Sequence, residues 1–242
     1  MDMESQEPKV TQKKARPVIS SGNVELDSRM GGGLPGGSLV LIEGGSGSGK
    51  SVLSQQIMYG ALKDGYRISL FTSESTVRSI IPQMSSIDMD IQDFLLMRRM
   101  RVYPVEFSKI GEDATVRLFR AMMKEVKSDV IVVDSLTSAM TVDVDESRIL
   151  SFFEEAKRLC DTGKTVIVTL HPGGAVASYL DRLRSICDAN LVLLSEADGQ
   201  RMVKMLKVVK IRGGASATGA IVGFEVEPGW GMRVIPISKA RG

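Results

Sequence analysis

Ile42-Glu43-Gly44-Gly45-Ser46-Gly47-Ser48-Gly49-Lys50-Ser51-Val52 is a loop nearly without side chains that ends in a lysine and a serine. Apolar residues lead into it (38–42, SLVLI), and a helical pattern leads out of it (52–62). A glycine run of this kind costs backbone entropy unless something fills it. The spacing from Gly44 to Ser51 satisfies G-x-x-x-x-G-K-[ST], a pattern suited to a triphosphate. Gly44, Gly45, Ser46, Gly47, Ser48 and Gly49 can turn backbone N–H groups inward, at the positive end of the helix that Val52 continues. Lys50 would reach the β- and γ-phosphates, and the Ser51 hydroxyl would ligate Mg²⁺.

Outward from the loop, short apolar runs alternate with helical patterns. Residues 67–72 (RISLFT), 100–105, 130–133 (VIVV), 165–170 (TVIVTL) and 191–194 read as strands. Residues 52–62, 76–84 (disturbed by Pro82), 112–126, 149–160 and 176–187 read as helices. In 112–126 the apolar stripe is Val116, Leu118, Phe119, Met122, Met123 and Val126. In 149–160 it is Ile149, Phe152, Phe153, Ala156, Leu159 and Cys160. Short, wholly apolar strands alternating with helices predict an α/β fold, with a mostly parallel central sheet and helices on both faces. After Ser195 the pattern changes. Strands over 202–212 and 221–226, and a pair 223–226 with 232–235 around the turn Pro228-Gly229-Trp230-Gly231, predict C-terminal antiparallel β-hairpins. Residues 1–17 are polar, lysine-rich and aperiodic, so they read as a disordered tail, with 18–242 as a single domain.

Three carboxylate or imidazole groups sit at strand ends, where ligands bind in open parallel sheets. Asp134 ends VIVVD and beside a P-loop would hold the Mg²⁺ shell; its alternative is a helix cap. Glu74 follows RISLFTS and could orient and deprotonate an attacking water, or cap the next helix. His171, the one histidine, ends TVIVTL and would sense the γ-phosphate, or serve as a satisfied structural residue. Lys210 and Arg212 lie two apart in KVVKIRGG, so a strand puts them on one face. They would reach a phosphate, in the manner of arginine fingers acting in trans, or solvate an edge strand. Arg98, Arg99 and Arg101 form a small basic cluster that is a candidate docking face.

Composition narrows the classes. Of 242 residues, 43% are hydrophobic and 25% charged, with net charge +2, the profile of a soluble globular protein. Acids and bases interleave, which argues against a surface dominated by nucleic-acid binding. Cys160 and Cys187 have no metal-ligand spacing and read as reduced, half-buried core thiols of an intracellular protein. The N-terminus has no apolar signal region, and no apolar run approaches the ~20 residues of a membrane span.

The P-loop, Glu74 after the second strand, Asp134 and the KVVKIRG strand together resemble the RecA-type ATPases, specifically their KaiC-like branch. Within that branch the chain is similar to the accessory ATPases of the archaellum, the archaeal swimming motor. ELDSRMGGGLPGGSLVLIEG, SVLSQQ, TSEST, VIVVDSLT, TVIVTLHPGG and GFEVEPGWGMRVIPISKA carry the likeness from about residue 23 to residue 240. The resemblance implies a RecA-like P-loop fold that binds ATP with Mg²⁺ and assembles into a homo-oligomeric ring. It implies a cytoplasmic protein, peripheral at the archaellum motor, docked on the secretion-type motor ATPase and its ring-forming membrane partner. It makes Lys210 and Arg212 contacts to a neighbouring subunit's phosphate, and His171 a γ-phosphate-side residue. KaiC proteins often carry two adjacent acids where this chain has Ser73-Glu74, which leaves one candidate base. The archaellum proteins look more like nucleotide-dependent switches than fast ATPases, so hydrolysis is expected to be slow or absent. Two other readings compete. One is a RecA-type DNA recombinase or helicase motor; against it stand the near-zero net charge and the short LHPGGA turn. The other is a KaiC-like autokinase, for which Ser73, Ser75 and Thr76 are the nearby hydroxyls.

Overall fold

A strand apolar on both faces needs a cover on each, and the fold supplies two. In the computed structural model, which describes residues 17–198, 201–213 and 218–236, β1 (Val18–Ile19) pairs antiparallel with β2 (Leu34–Pro35) across helix α1 (Val24–Arg29). There follow β3 (Leu39–Gly44), α2 (Lys50–Lys63), β4 (Ile68–Thr72), α3 (Val77–Ser85), α4 (Gln92–Leu96), β5 (Met100–Pro104), α5 (Phe107–Ile110) and α6 (Ala114–Lys124). The chain continues through β6 (Val130–Asp134), α7 (Thr137–Val142), α8 (Glu146–Asp161), β7 (Thr165–Leu170), α9 (Leu180–Ile186), β8 (Ala189–Asp198), β9 (Arg201–Ile211), β10 (Ile221–Glu227) and β11 (Gly231–Ile235).

Nine of these strands form one sheet in the order β11-β10-β9-β8-β3-β7-β6-β4-β5. From β8 to β5 neighbours are parallel; β9, β10 and β11 extend the sheet antiparallel. Alternate residues divide between two cores. Val40 and Ile42 of β3, Val132 of β6 and Ile167 of β7 pack with Leu53 and Ile57 of α2. Leu39, Leu41, Ile131, Val133, Val166 and Val168 pack with Phe152 and Phe153 of α8 and Leu183 of α9. The chain leaves β3 through α2 and re-enters the sheet at β4, with β7 and β6 lying between. Its crevice therefore opens at the C-terminal end of β3, where the glycine loop begins. This is the RecA-like arrangement expected, with antiparallel strands at its C-terminal side.

Several elements differ from the sequence reading. The helix expected over 112–126 ends at Lys124, leaving Val126 74% and Met123 50% exposed. Ala114, Leu118 and Met122, at a spacing of four, face the sheet and define its buried side. The helix expected over 176–187 is a 3-10 turn (Gly174–Ser178) and α9, broken at Tyr179. Val176, Tyr179, Leu180 and Leu183 are all buried, so the apolar period runs unbroken across a backbone break. Strand β9 lies between β8 and β10, but among the described residues its pairing with β10 runs only from Lys204 to Lys207. Lys210 therefore lies on an unpaired stretch of that edge and Arg212 just past the strand; both side chains are bonded to the end of α9 rather than left to solvent alone. The two cysteines are free and fully buried rather than half-buried. Burial pushes the Cys160 thiol up to about 12. Apart from Pro17, the tail read over 1–17 lies outside the described residues, as do residues 237–242, which include the last four residues of the final quoted string.

Candidate active site

Two glycines shape the loop. A Cβ on Gly44 would lie 2.3 Å from Ser48 Oγ and 2.9 Å from the Leu193 carbonyl oxygen. Gly49 starts α2 at φ 99°, a left-handed conformation that glycine adopts without strain, and a Cβ there would lie 3.2 Å from the Phe224 ring. Lys50 folds back over the loop, its Nζ donating to the Gly44 and Gly45 carbonyls at 2.8 Å each. Beside it opens a cavity of about 310 Å³, lined by Ser46, Gly47, Gly49, Lys50, Ser51, Val52, Glu74 and Lys204.

Asp134 lies beside Ser51, whose hydroxyl bonds its carboxyl. It is the last residue of β6, 6% exposed, and its Oδ1 accepts the Thr169 hydroxyl at 2.6 Å. The Asp134–Ser135 peptide is cis. Burial raises the Asp134 pKa; hydrogen bonds from Thr169 and Ser51, and the charge of Lys50, oppose it. Glu74 lines the cavity. The Thr72 hydroxyl oxygen accepts the Glu74 and Ser75 N–H groups at 3.1 and 3.2 Å, which holds the turn after β4. Desolvation of its carboxyl, and then the like charge of Asp134, raise the Glu74 pKa; Lys50 and the Ser51 hydroxyl lower it. Lys50 is itself lowered by burial and held up by Glu74 and Asp134. One cation, two carboxyls and the Ser51 hydroxyl thus form a single coupled set.

The residues suit a polyphosphate with a hard cation. Open space lies where side chains on Gly45 and Gly47 would project. The Ser48 hydroxyl is buried with no partner, an orphaned polar atom in the wall of an anion cradle. Ser51, Asp134 and Glu74 offer the oxygen donors that Mg²⁺ prefers. Among the described residues no cluster of three His, Cys, Asp or Glu could hold a metal unaided. A site that binds Mg²⁺ through one or two protein oxygens, substrate phosphates and water has this composition.

Other expected site residues lie apart from this cavity. His171 follows β7, is exposed and does not line the cavity; its Nδ1 accepts the Gly173 N–H at 3.1 Å. Lys210 and Arg212 do share a side of the sheet. Their side chains donate to the carbonyls of Arg184 (2.6 Å) and Ser185 (2.9 Å) at the end of α9. Lys210 pairs with Asn190, and Asn190 with Leu41, three residues before Gly44. Both cations therefore point away from the chain's own loop. Of the basic cluster, Arg99 donates to the Leu62 carbonyl at 2.6 Å and Arg101 pairs with Glu125 at 3.2 Å, so two of its three charges are engaged within the fold.

Three residues at the site escaped the sequence reading. Thr169 sits inside an apolar strand, and only the β6–β7 pairing reveals its contact with Asp134. Phe224 reaches Gly49 from β10. Lys204 had a readable signal: in Lys204-Met205-Leu206-Lys207-Val208, strand alternation puts Lys204 with buried Leu206 and Val208.

The family model described as "ATPase: KaiC" matches residues 19–239. An archaeal flagellar ATP-binding protein FlaH from Sulfolobus acidocaldarius is 32% identical over 93% of this chain and 99% of its own length. The crystal structure of the flagellar accessory protein FlaH from Methanocaldococcus jannaschii superposes with a TM-score of 0.79 at 28% identity, over 90% of this chain and 98% of that one. A circadian clock oscillator protein KaiC from Acaryochloris marina is 26% identical over 85% of this chain, which spans 40% of that protein.

Proposed function

This chain belongs to the KaiC family of ATPases and, within it, to the FlaH proteins, and on that premise we propose that it is an ATP-dependent switch of the archaellum motor. ATP with Mg²⁺ occupies the cavity of the glycine loop. Backbone N–H groups of 44–49 and Lys50 grip the phosphates, and Ser51 and Asp134 hold the cation. Glu74 faces the γ-phosphate end and is the one candidate base for attack by water; hydrolysis is slow. Lys210 and Arg212 serve the phosphate of an adjacent copy in a ring, and His171 is the γ-phosphate-side residue at the end of β7. Nucleotide then biases ring assembly, and with it docking on the motor ATPase and its ring-forming membrane partner. The protein sits on the cytoplasmic side of the membrane. Among the described residues no helix is long and apolar enough to cross a bilayer, and attachment through partners accounts for its place there.

One observation carries the reading. The cavity collects Lys50, Ser51 and Glu74, while Lys210 and Arg212 are held on the α9 carbonyls, away from it. A phosphate site whose further candidate cations lie elsewhere on the chain favours a state read between copies, because a ligand shifts an equilibrium only through differential contacts in the two states. The test is the mass distribution of the purified chain, and its binding to the motor ATPase, with no nucleotide, with ADP and with ATP. ATP should enlarge the assembly and strengthen docking, and Lys50→Ala should abolish both responses. Assembly and docking indifferent to nucleotide would overturn the proposal.

A further inference from the structure

We propose that Lys204 is a second same-chain cation for the nucleotide polyphosphate, delivered to the P-loop cavity by the antiparallel extension of the sheet. The inference rests on the reading of that cavity as a nucleotide site.

The placement follows from strand register. Lys204 lies opposite Ser195 of β8 and Phe224 of β10. Leu206 and Val208, on its side of β9, are buried in the core shared with α2, and so is Phe224. Lys204 therefore rises on the α2 face of the sheet, as the cross-strand neighbour of Phe224, whose ring packs against Gly49. Its side chain is half-buried and lines the cavity together with Gly47, Gly49, Val52 and Glu74. Among the described residues it has no ion-pair or hydrogen-bond partner.

An unpartnered ammonium half-withdrawn from water is unfavourable unless an anion arrives. The neighbouring lysine is differently arranged. Lys50 is already bonded to two loop carbonyls and faces the carboxyls of Glu74 and Asp134. A polyphosphate carries more charge than one such lysine and a helix end neutralise, and Lys204 is the other cation among the residues that line the cavity. Lys210 lies six residues along the same strand and is fastened to α9. A phosphate contact at Lys204 thus ties occupation of the cavity to the strand that carries Lys210 and leads into Arg212.

The experiment is equilibrium binding of ATP and ADP to the full chain across a salt series, for the parent, Lys204→Met, Lys204→Arg and Lys50→Ala, with melting temperatures in parallel. Lys204→Met should weaken ATP roughly tenfold at low salt, the loss of one charge-assisted contact, and flatten the salt dependence. Its melting temperature without nucleotide should match the parent, and Lys204→Arg should keep most of the affinity. Parent-like ATP binding by Lys204→Met, or an equal loss in Lys204→Arg, overturns the proposal. If Lys50→Ala also binds ATP as the parent does, the nucleotide-site reading falls with it; if Lys50→Ala alone loses ATP, only the role of Lys204 falls.

Discussion

Asp134 carries a charge that its surroundings resist. Burial raises its pKa above the ordinary 3.8, so between that value and its folded pKa the native state holds a proton the unfolded chain has released. Stability therefore falls as pH rises through this window. Asp134→Asn has no charge to bury, so without nucleotide its melting temperature should match the parent in acid and exceed it increasingly toward neutral pH. A constant difference across the range would contradict this. The same variant should lose the Mg²⁺-dependent part of ATP binding, as active-site groups often trade stability for function. Thr169→Val leaves Asp134 without its donor. It should cost about 1–3 kcal/mol in chemical denaturation at neutral pH and weaken ATP with Mg²⁺ more than ATP with chelator. Equal losses would mean that Thr169 only packs. Asp134 was readable as the end of VIVVD, because a carboxylate after a buried strand is conspicuous. Thr169 was not, since its partner lies on another strand, 35 residues away.

Among the elements, α2 and β3 were legible because a buried strand, a glycine loop and a helix occur in one continuous string. The hairpin of β10 and β11 was legible for the same reason: Gly223 pairs with Ile235 and Val226 with Met232 across a Pro-Gly turn. Less legible were segments whose faces are set by neighbours, such as α6 and the break before α9. The extension formed by β9 and β10 also does more than widen the sheet, since Phe224 supports Gly49. Phe224→Leu and Phe153→Leu, both at fully buried positions in opposite cores, should each destabilise by on the order of 1–2 kcal/mol. Only Phe224→Leu should weaken ATP binding by more than about threefold, an effect of under 1 kcal/mol. Titration of both variants, at a temperature where each is folded, checks it. Equal ATP affinities would show that the hairpin merely caps the sheet.

At the scale of the whole molecule, cations sit at two places: Lys50 and Lys204 at the cavity, and Lys210 and Arg212 beside the end of α9. If the second set serves an adjacent copy, two different defects complement. Lys50→Ala and Arg212→Ala should each fail alone in ATP-dependent assembly. An equimolar mixture should recover a fraction, because some junctions then join an intact loop to an intact Arg212. Light scattering of the mixtures measures this, and no recovery at any ratio would argue that Arg212 only caps α9. The competing readings are open to direct tests: the DNA motor predicts DNA-stimulated turnover at low salt, and the autokinase predicts phosphate on Ser73, Ser75 or Thr76 after incubation with ATP.

By itself the sequence determined what is local. Wholly apolar strands require two covering layers, residues Gly44 to Ser51 carry the spacing of a phosphate loop, and the change of pattern after Ser195 requires antiparallel strands. Each follows from interactions between residues close along the chain. The tertiary structure alone decided which distant groups converge. Strand order placed β6 and β7 so that Thr169 meets Asp134, register lifted Lys204 to the cavity, and the end of α9 drew Lys210 and Arg212 away from it. These are long-range pairings, and strand order and register arise only when the whole sheet packs.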